Sequence, residues 1–181
     1  CGAPGRHRLA HLAAAVVGAQ AILQGIVVEA GQSLVDNGVQ VGGHNAQALI
    51  EDELAQVCRM EGVSLIPYSP IGGGVLSCKY SSGARPEGAR FSRYLEMGGR
   101  QAAMAMRFAN DRAITSAEKF AAIAEEAGMS PVTMAVAWSK QHDFVASTIV
   151  GVTGMGQLPE ILAAADMVLP DEVMKAINKV S

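Results

Sequence analysis

The sequence predicts an α/β fold built on a parallel sheet, and two stretches carry that prediction. In the first, Val63–Tyr80 (VSLIPYSPIGGGVLSCKY), a buried strand runs into a glycine-rich turn. Val63, Leu65 and Ile66 form a short apolar run, Pro67 and Pro70 forbid a helix, and Gly72, Gly73 and Gly74 free the backbone for a tight path. The second stretch, Val145–Met167, repeats the rhythm of strand, turn and helix. Two βα units separated by long helices belong to the alternating class. A strand that ends in so permissive a loop usually ends at a site.

The chain has 181 residues, enough for one sizeable core but short of the roughly 250 that a complete eight-fold barrel takes. Half of it is hydrophobic and 17% is charged, a globular balance. The net charge of −3, without clustered Lys or Arg, argues against a nucleic-acid surface. A small, anionic ligand held locally is expected instead. Cys1, Cys58 and Cys78 are odd in number and form no Cys-x-x-Cys pair, so no disulfide framework or zinc site is indicated and a cytoplasmic setting fits best. Because the chain starts with Cys1 rather than Met, a fragment is expected.

Residues 1–49 differ from the rest, being rich in Ala and Gly, nearly free of acidic residues and holding three of the four histidines. Leu9–Ile22 reads as an Ala-rich helix and Ile26–Glu29 as a short strand. Arg6 and Arg8 ahead of Leu12–Val28 imitate a signal peptide or weak membrane span, but Gly18, Gln20 and Gln24 interrupt the run. It falls short of about 20 clean apolar residues, so no membrane association is expected. His7 and His11 stand four apart without a third ligand and read as incidental.

Order increases from Glu51. Glu51–Glu61 reads as an amphipathic helix with Leu54, Val57 and Cys58 on one face, acids in the first turn, and Gly62 to end it. Ser81–Arg93, with Gly83, Pro86 and Gly88, reads as a long loop. Ser116–Ala127 reads as a helix capped by Thr115 or Ser116 and closed by Gly128. Ser130 caps the next, Val132–His142, with Pro131 in its first turn. Val145–Val150 is the second strand, Gly151–Gly156 its turn and Gln157–Ala165 the following helix. Pro170–Val180 closes the chain as a helix with Val173, Ile177 and Val180 on one face.

The turn GVTGMGQLPE sets Gly151, Gly154 and Gly156 before a helix N-terminus, where exposed N–H groups and the helix dipole suit phosphate. An ordinary connection that needs glycines for its path explains the spacing equally well. The turn after the first strand is ambiguous in the same way, because Pro70 and the long loop do not suit a Rossmann fingerprint. Trp138 and the methionines at helical spacing read as core.

Five segments, in order, settle more than each does alone: VSLIPYSPIGGGVLSCKY, GARFSRY, RQAAMAMRFAN, SPVTMAVAW and STIVGVTGMGQLPEILAAAD. Together they resemble the C-terminal part of the aldo-keto reductases, from about Ile50 to the end. The resemblance implies a partial (β/α)8 TIM barrel, with residues 1–49 an unmatched N-terminal segment and residues 50–181 the last strands and closing helices. It also implies a nicotinamide cofactor, NADP, and a small carbonyl substrate. Tyr68 matches the aromatic residue that stacks on the nicotinamide ring, and Ser69, Pro70, Ile71 and Gly72 match the segment along the pyrophosphate. Lys79 and Arg90 match basic positions at the phosphates, Arg90 leaning toward NADP. Gly151, Thr153, Gln157 and Glu160 match adenosine-side contacts. Ile161 stands where the family often has Asn, and Gly154 and Pro159 also depart from its pattern, which implies weaker adenosine affinity.

The family's catalytic Asp, Tyr, Lys and His have no matching motif in residues 1–49, so no catalytic residue is assigned. The expectation is a truncated or frame-disrupted NADP-dependent oxidoreductase with little activity alone. Its rival is a non-catalytic, nucleotide-binding or regulatory half-barrel that associates with another chain. Open sheet edges favour self-association in either case.

Overall fold

The computed structural model describes residues 55–61, 64 and 66–180. The expectations for residues 1–49, and those resting on Val63 and Leu65, lie outside these residues. The described chain is mostly helical. It comprises α1 (Ala55–Glu61), α2 (Arg90–Met97), α3 (Gly99–Phe108), α4 (Asp111–Glu126), α5 (Pro131–Lys140), α6 (Leu158–Ala163) and α7 (Asp171–Val180). Short 3-10 turns form at Gly72–Ser77, Ser81–Gly83 and Met155–Gln157.

The centre is α5, in which every residue from Val132 to Ser139 is buried. Its start follows the sequence: the Ser130 hydroxyl oxygen accepts from the N–H of Val132 at 3.1 Å and of Thr133 at 3.3 Å, and Pro131 needs no donor there. α4, α6 and the glycine turn pack around it. At its far end the Gln141 amide donates to the Leu169 carbonyl at 3.0 Å and accepts from the Leu169 N–H at 2.6 Å, fixing the approach to α7. α7 lays Ile177, fully buried, against the core, with Val173 partly covered beside it. Arg59 of α1 makes a two-pronged ion pair with Asp143, both contacts at 2.7 Å, and lies 5.6 Å from the Phe144 ring centroid.

Three sequence expectations are corrected. The loop expected over Ser81–Arg93 ends earlier, because α2 begins at Arg90. Phe91, Tyr94 and Leu95 have helical spacing, and Phe91 drops into an aromatic cluster with Tyr80 (5.5 Å between centroids), Phe108 (5.7 Å) and Tyr94 (6.2 Å). The Tyr80 hydroxyl also accepts from the Phe91 N–H at 3.2 Å, satisfying a donor that a helix start leaves open. Next, α4 starts at Asp111 rather than Ser116, because the Asn110 side chain accepts from the Ala113 N–H at 2.8 Å. Thr115 lies inside the helix and donates to the Asp111 carbonyl at 2.9 Å. Gly128, at φ +69°, ends the helix as expected.

The strands are the third correction. Among the described residues, the parallel pairing is one isolated bridge, Tyr68 with Ile149, where the Ile149 N–H donates to the Pro67 carbonyl at 2.7 Å. Ile66 and Ile149 are 51% and 54% exposed, so the second apolar run is not buried as a strand. A parallel pair needs cover on both faces and further strands beside it before a ladder holds. The bridge has neither among the described residues. It still joins the two turns of the sequence argument end to end.

The caps give a direct check by urea denaturation. Asn110→Ala and Ser130→Ala are each expected to lower stability by about 1 kcal/mol, and Thr115→Ala by clearly less. The opposite order for Asn110 and Thr115 would restore the later helix start.

Candidate functional site

A cavity of about 590 Å³ opens where the bridge brings the two turns together. One side is Tyr68, Ser69, Pro70 and Ile71, continuing to Lys79 and Arg90. The other is Gly151, Thr153, Gln157 and Glu160. Ten of the eleven residues the sequence singled out therefore line one space, although sixty positions, 91–150, separate the two groups in the chain. Gly72 is the exception: it is buried behind the turn, its N–H donating to the Ser69 carbonyl at 2.9 Å.

The glycine turn is shaped for what packs on it. Gly72, Gly73 and Gly74 all have positive φ, at 55°, 66° and 98°, a region that side chains resist. A Cβ on Gly73 would lie 2.5 Å from the Phe91 ring, and one on Gly74 would lie 2.5 Å from Lys79 Cε and 2.6 Å from Nζ. The missing side chain of Gly74 is thus the space that the Lys79 ammonium occupies. Nζ also stands 5.2 Å from the Tyr80 ring centroid, a cation over an aromatic face. Ser77 closes the turn by donating to the Gly74 carbonyl at 2.7 Å.

The electrostatics around Lys79 favour an anion. Burial pushes its ammonium below the usual lysine range, and the like charge of Arg90 pushes the same way. Among the described residues, no carboxylate forms an ion pair with Lys79 or Arg90. A phosphate between the two cations would relieve both strains.

The opposite wall is held by internal hydrogen bonds. The Gln157 side-chain oxygen accepts from the Thr153 N–H at 2.8 Å and from its hydroxyl at 3.4 Å. The Thr133 hydroxyl donates to the Glu160 carbonyl at 2.8 Å, tying α6 to α5.

Sequence reasoning missed two contributors. Pro86 to Ala89 border the cavity from the long loop, and Val132 and Val136 face it from α5. The two valines stand four apart after a clear cap, a spacing that reads equally as core. No group of three or more His, Cys, Asp or Glu among the described residues could hold a metal ion.

Removing the ammonium tests this picture. The folded-state pKa of Lys79 is depressed, so the native state gives up this proton more readily than the unfolded chain does. The charged group therefore opposes folding at neutral pH, and the opposition fades as pH rises through its folded pKa toward the unfolded value. Lys79→Met is expected to be at least as stable as the parent at pH 7, by urea denaturation, with the parent gaining on the variant as the pH rises toward the ordinary lysine value of about 10.4. A variant clearly less stable at pH 7 would contradict the placement.

Comparisons with known proteins fit this geometry. The family model described as "Aldo/keto reductase family" matches residues 29–181, beginning upstream of the motifs. The protein named "Protein tas" of Escherichia coli is 36% identical over 130 residues, which cover 70% of this chain and 34% of that protein. Proteins named "Probable voltage-gated potassium channel subunit beta" are similar as well. The one from Arabidopsis thaliana is 31% identical over 68% of this chain and 36% of its own length, and the one from Oryza sativa 32% over 72% and 39%. The matched chain spans little more than a third of the length of these relatives.

Proposed function

The chain belongs to the aldo/keto reductase family, and on that premise we propose that its cavity is the nucleotide-holding part of an NADP-dependent carbonyl reductase. The carrying observation is the pair of cations, Lys79 and Arg90, without carboxylate partners among the described residues and beside the same cavity as Tyr68. That donor set suits a phosphorylated, aromatic ligand.

In this reading Lys79 and Arg90 neutralise the phosphates, and the Gly74 turn lets Lys79 approach without a side chain in the way. Arg90 is the residue that favours NADP over NAD. Ser69, Pro70, Ile71 and Gly72 shape the pyrophosphate segment. Gly151, Thr153, Gln157 and Glu160 border the adenosine side. Tyr68 supplies a flat surface that keeps water from one face of the nicotinamide. When bound, the cofactor supplies a hydride for the carbonyl carbon of a small substrate. None of the described residues is assigned as the acid that protonates the carbonyl oxygen, so slow or absent turnover by this chain alone is part of the proposal.

A second reading is a nucleotide-binding regulatory subunit, favoured by the similarity to the proteins named as channel β subunits. Exposed Ile66 and Ile149 beside the bridge suit self-association or a partner chain in either reading. We also propose a cytoplasmic location, which suits the free thiols of Cys58 and Cys78. No helix among the described residues is long and apolar enough to cross a membrane.

Calorimetric titration with NADPH and NADH, alongside an aldehyde-reduction assay, separates the readings. NADPH is expected to bind at least tenfold more tightly than NADH, about 1.4 kcal/mol or more, with little turnover. Binding of neither would overturn the cofactor reading, and reduction at an ordinary enzymatic rate would overturn the lack of an acid.

A further inference from the structure

Resting on the nucleotide reading above, we infer that this cavity holds the base of its nucleotide by shape and does not select it by hydrogen bonds. Three apolar side chains form the wall behind Glu160. Val132 and Val136 lie one turn apart on α5, and Ile161 of α6 packs against that helix through the same core. They are only 8%, 6% and 7% exposed while bordering the cavity. A wall of two valines and an isoleucine suits the face of a heteroaromatic ring and offers its edge neither donor nor acceptor.

The polar groups around that wall are already committed or stand in water. The Thr133 hydroxyl is spent on the Glu160 carbonyl, and the Gln157 oxygen on Thr153. The Glu160 carboxylate and the Gln157 amide nitrogen belong to exposed residues. A hydrogen bond from either to a base would replace one already made with water, and such an exchange discriminates weakly. Strong selection arises where a buried polar group would be left unpaired by the wrong ligand. Among the described residues, no buried side-chain polar atom without a partner belongs to this wall. Affinity is therefore set at the other end, by Lys79 and Arg90 on phosphate.

The inference separates ligands that differ only at the base edge. Nicotinamide hypoxanthine dinucleotide phosphate carries a 6-oxo group where NADP carries the 6-amino group, turning that donor into an acceptor and the neighbouring N1 acceptor into a donor, with the ring outline and phosphates unchanged. Titrating the full chain with both, by calorimetry, gives dissociation constants without relying on turnover. The two are expected to agree within about tenfold, the upper end of what one hydrogen bond at the solvent edge supplies. If NADP binds and the hypoxanthine analogue is weaker by more than that, the base is read and the inference fails, while the nucleotide reading stands. If neither ligand binds, the nucleotide reading fails and takes the inference with it.

Discussion

The contact on which the rest of the structure depends is the one that Gly73 and Gly74 make by having no side chains. Phe91 fills the space over the first and Lys79 the space over the second. Phe91 anchors the start of α2 and, through Phe108, the end of α3, so the helices after the long loop are seated on the glycine turn. Lys79 is held half-buried with its charge at the cavity and Arg90 close enough to disfavour it. Packing and electrostatics are set by the same two residues. A side chain at Gly73 would disturb the fold, whereas one at Gly74 would first disturb the cation.

This arrangement explains why a charge is kept where it is uncomfortable. A half-buried lysine beside an arginine, with no carboxylate paired to it among the described residues, opposes folding, and a bound anion would relieve it. The opposite wall works by other means, with Thr153, Gln157 and Thr133 satisfying one another or the backbone, and Val132, Val136 and Ile161 presenting apolar surface. One end of the cavity is strained and polar, and the other is satisfied and apolar. A ligand with phosphates at one place and a flat ring at another matches that division.

Much of this was legible in the sequence, for identifiable reasons. Ser130 followed by Pro131 announces a helix start that the structure reproduces, because cap and proline both act within a few residues. Asn110 was not legible, since Thr115 and Ser116 offer an equally good local cap, and the bond from the Ala113 N–H to Asn110 and the burial of Ala113 depend on the folded packing. The strands reduce to one bridge because pairing depends on neighbours that local patterns do not contain. The five motifs identified the family, and ten of the residues they pointed to share a cavity. They could not reveal that Lys79 occupies the space over Gly74, which depends on the path of the whole turn, or that Val132 and Val136 border a cavity as well as belonging to the core.

The central claim is that an unrelieved Lys79 ammonium awaits a phosphate, and proton uptake on binding tests it most directly. If phosphate restores the lysine toward its ordinary range, NADPH binding must take up protons as the pH approaches the ordinary lysine value of about 10.4 from below. Calorimetry in two buffers of different ionisation enthalpy measures that number. The account predicts net uptake in this range, absent in Lys79→Met. Binding with no net uptake by the parent protein would contradict it.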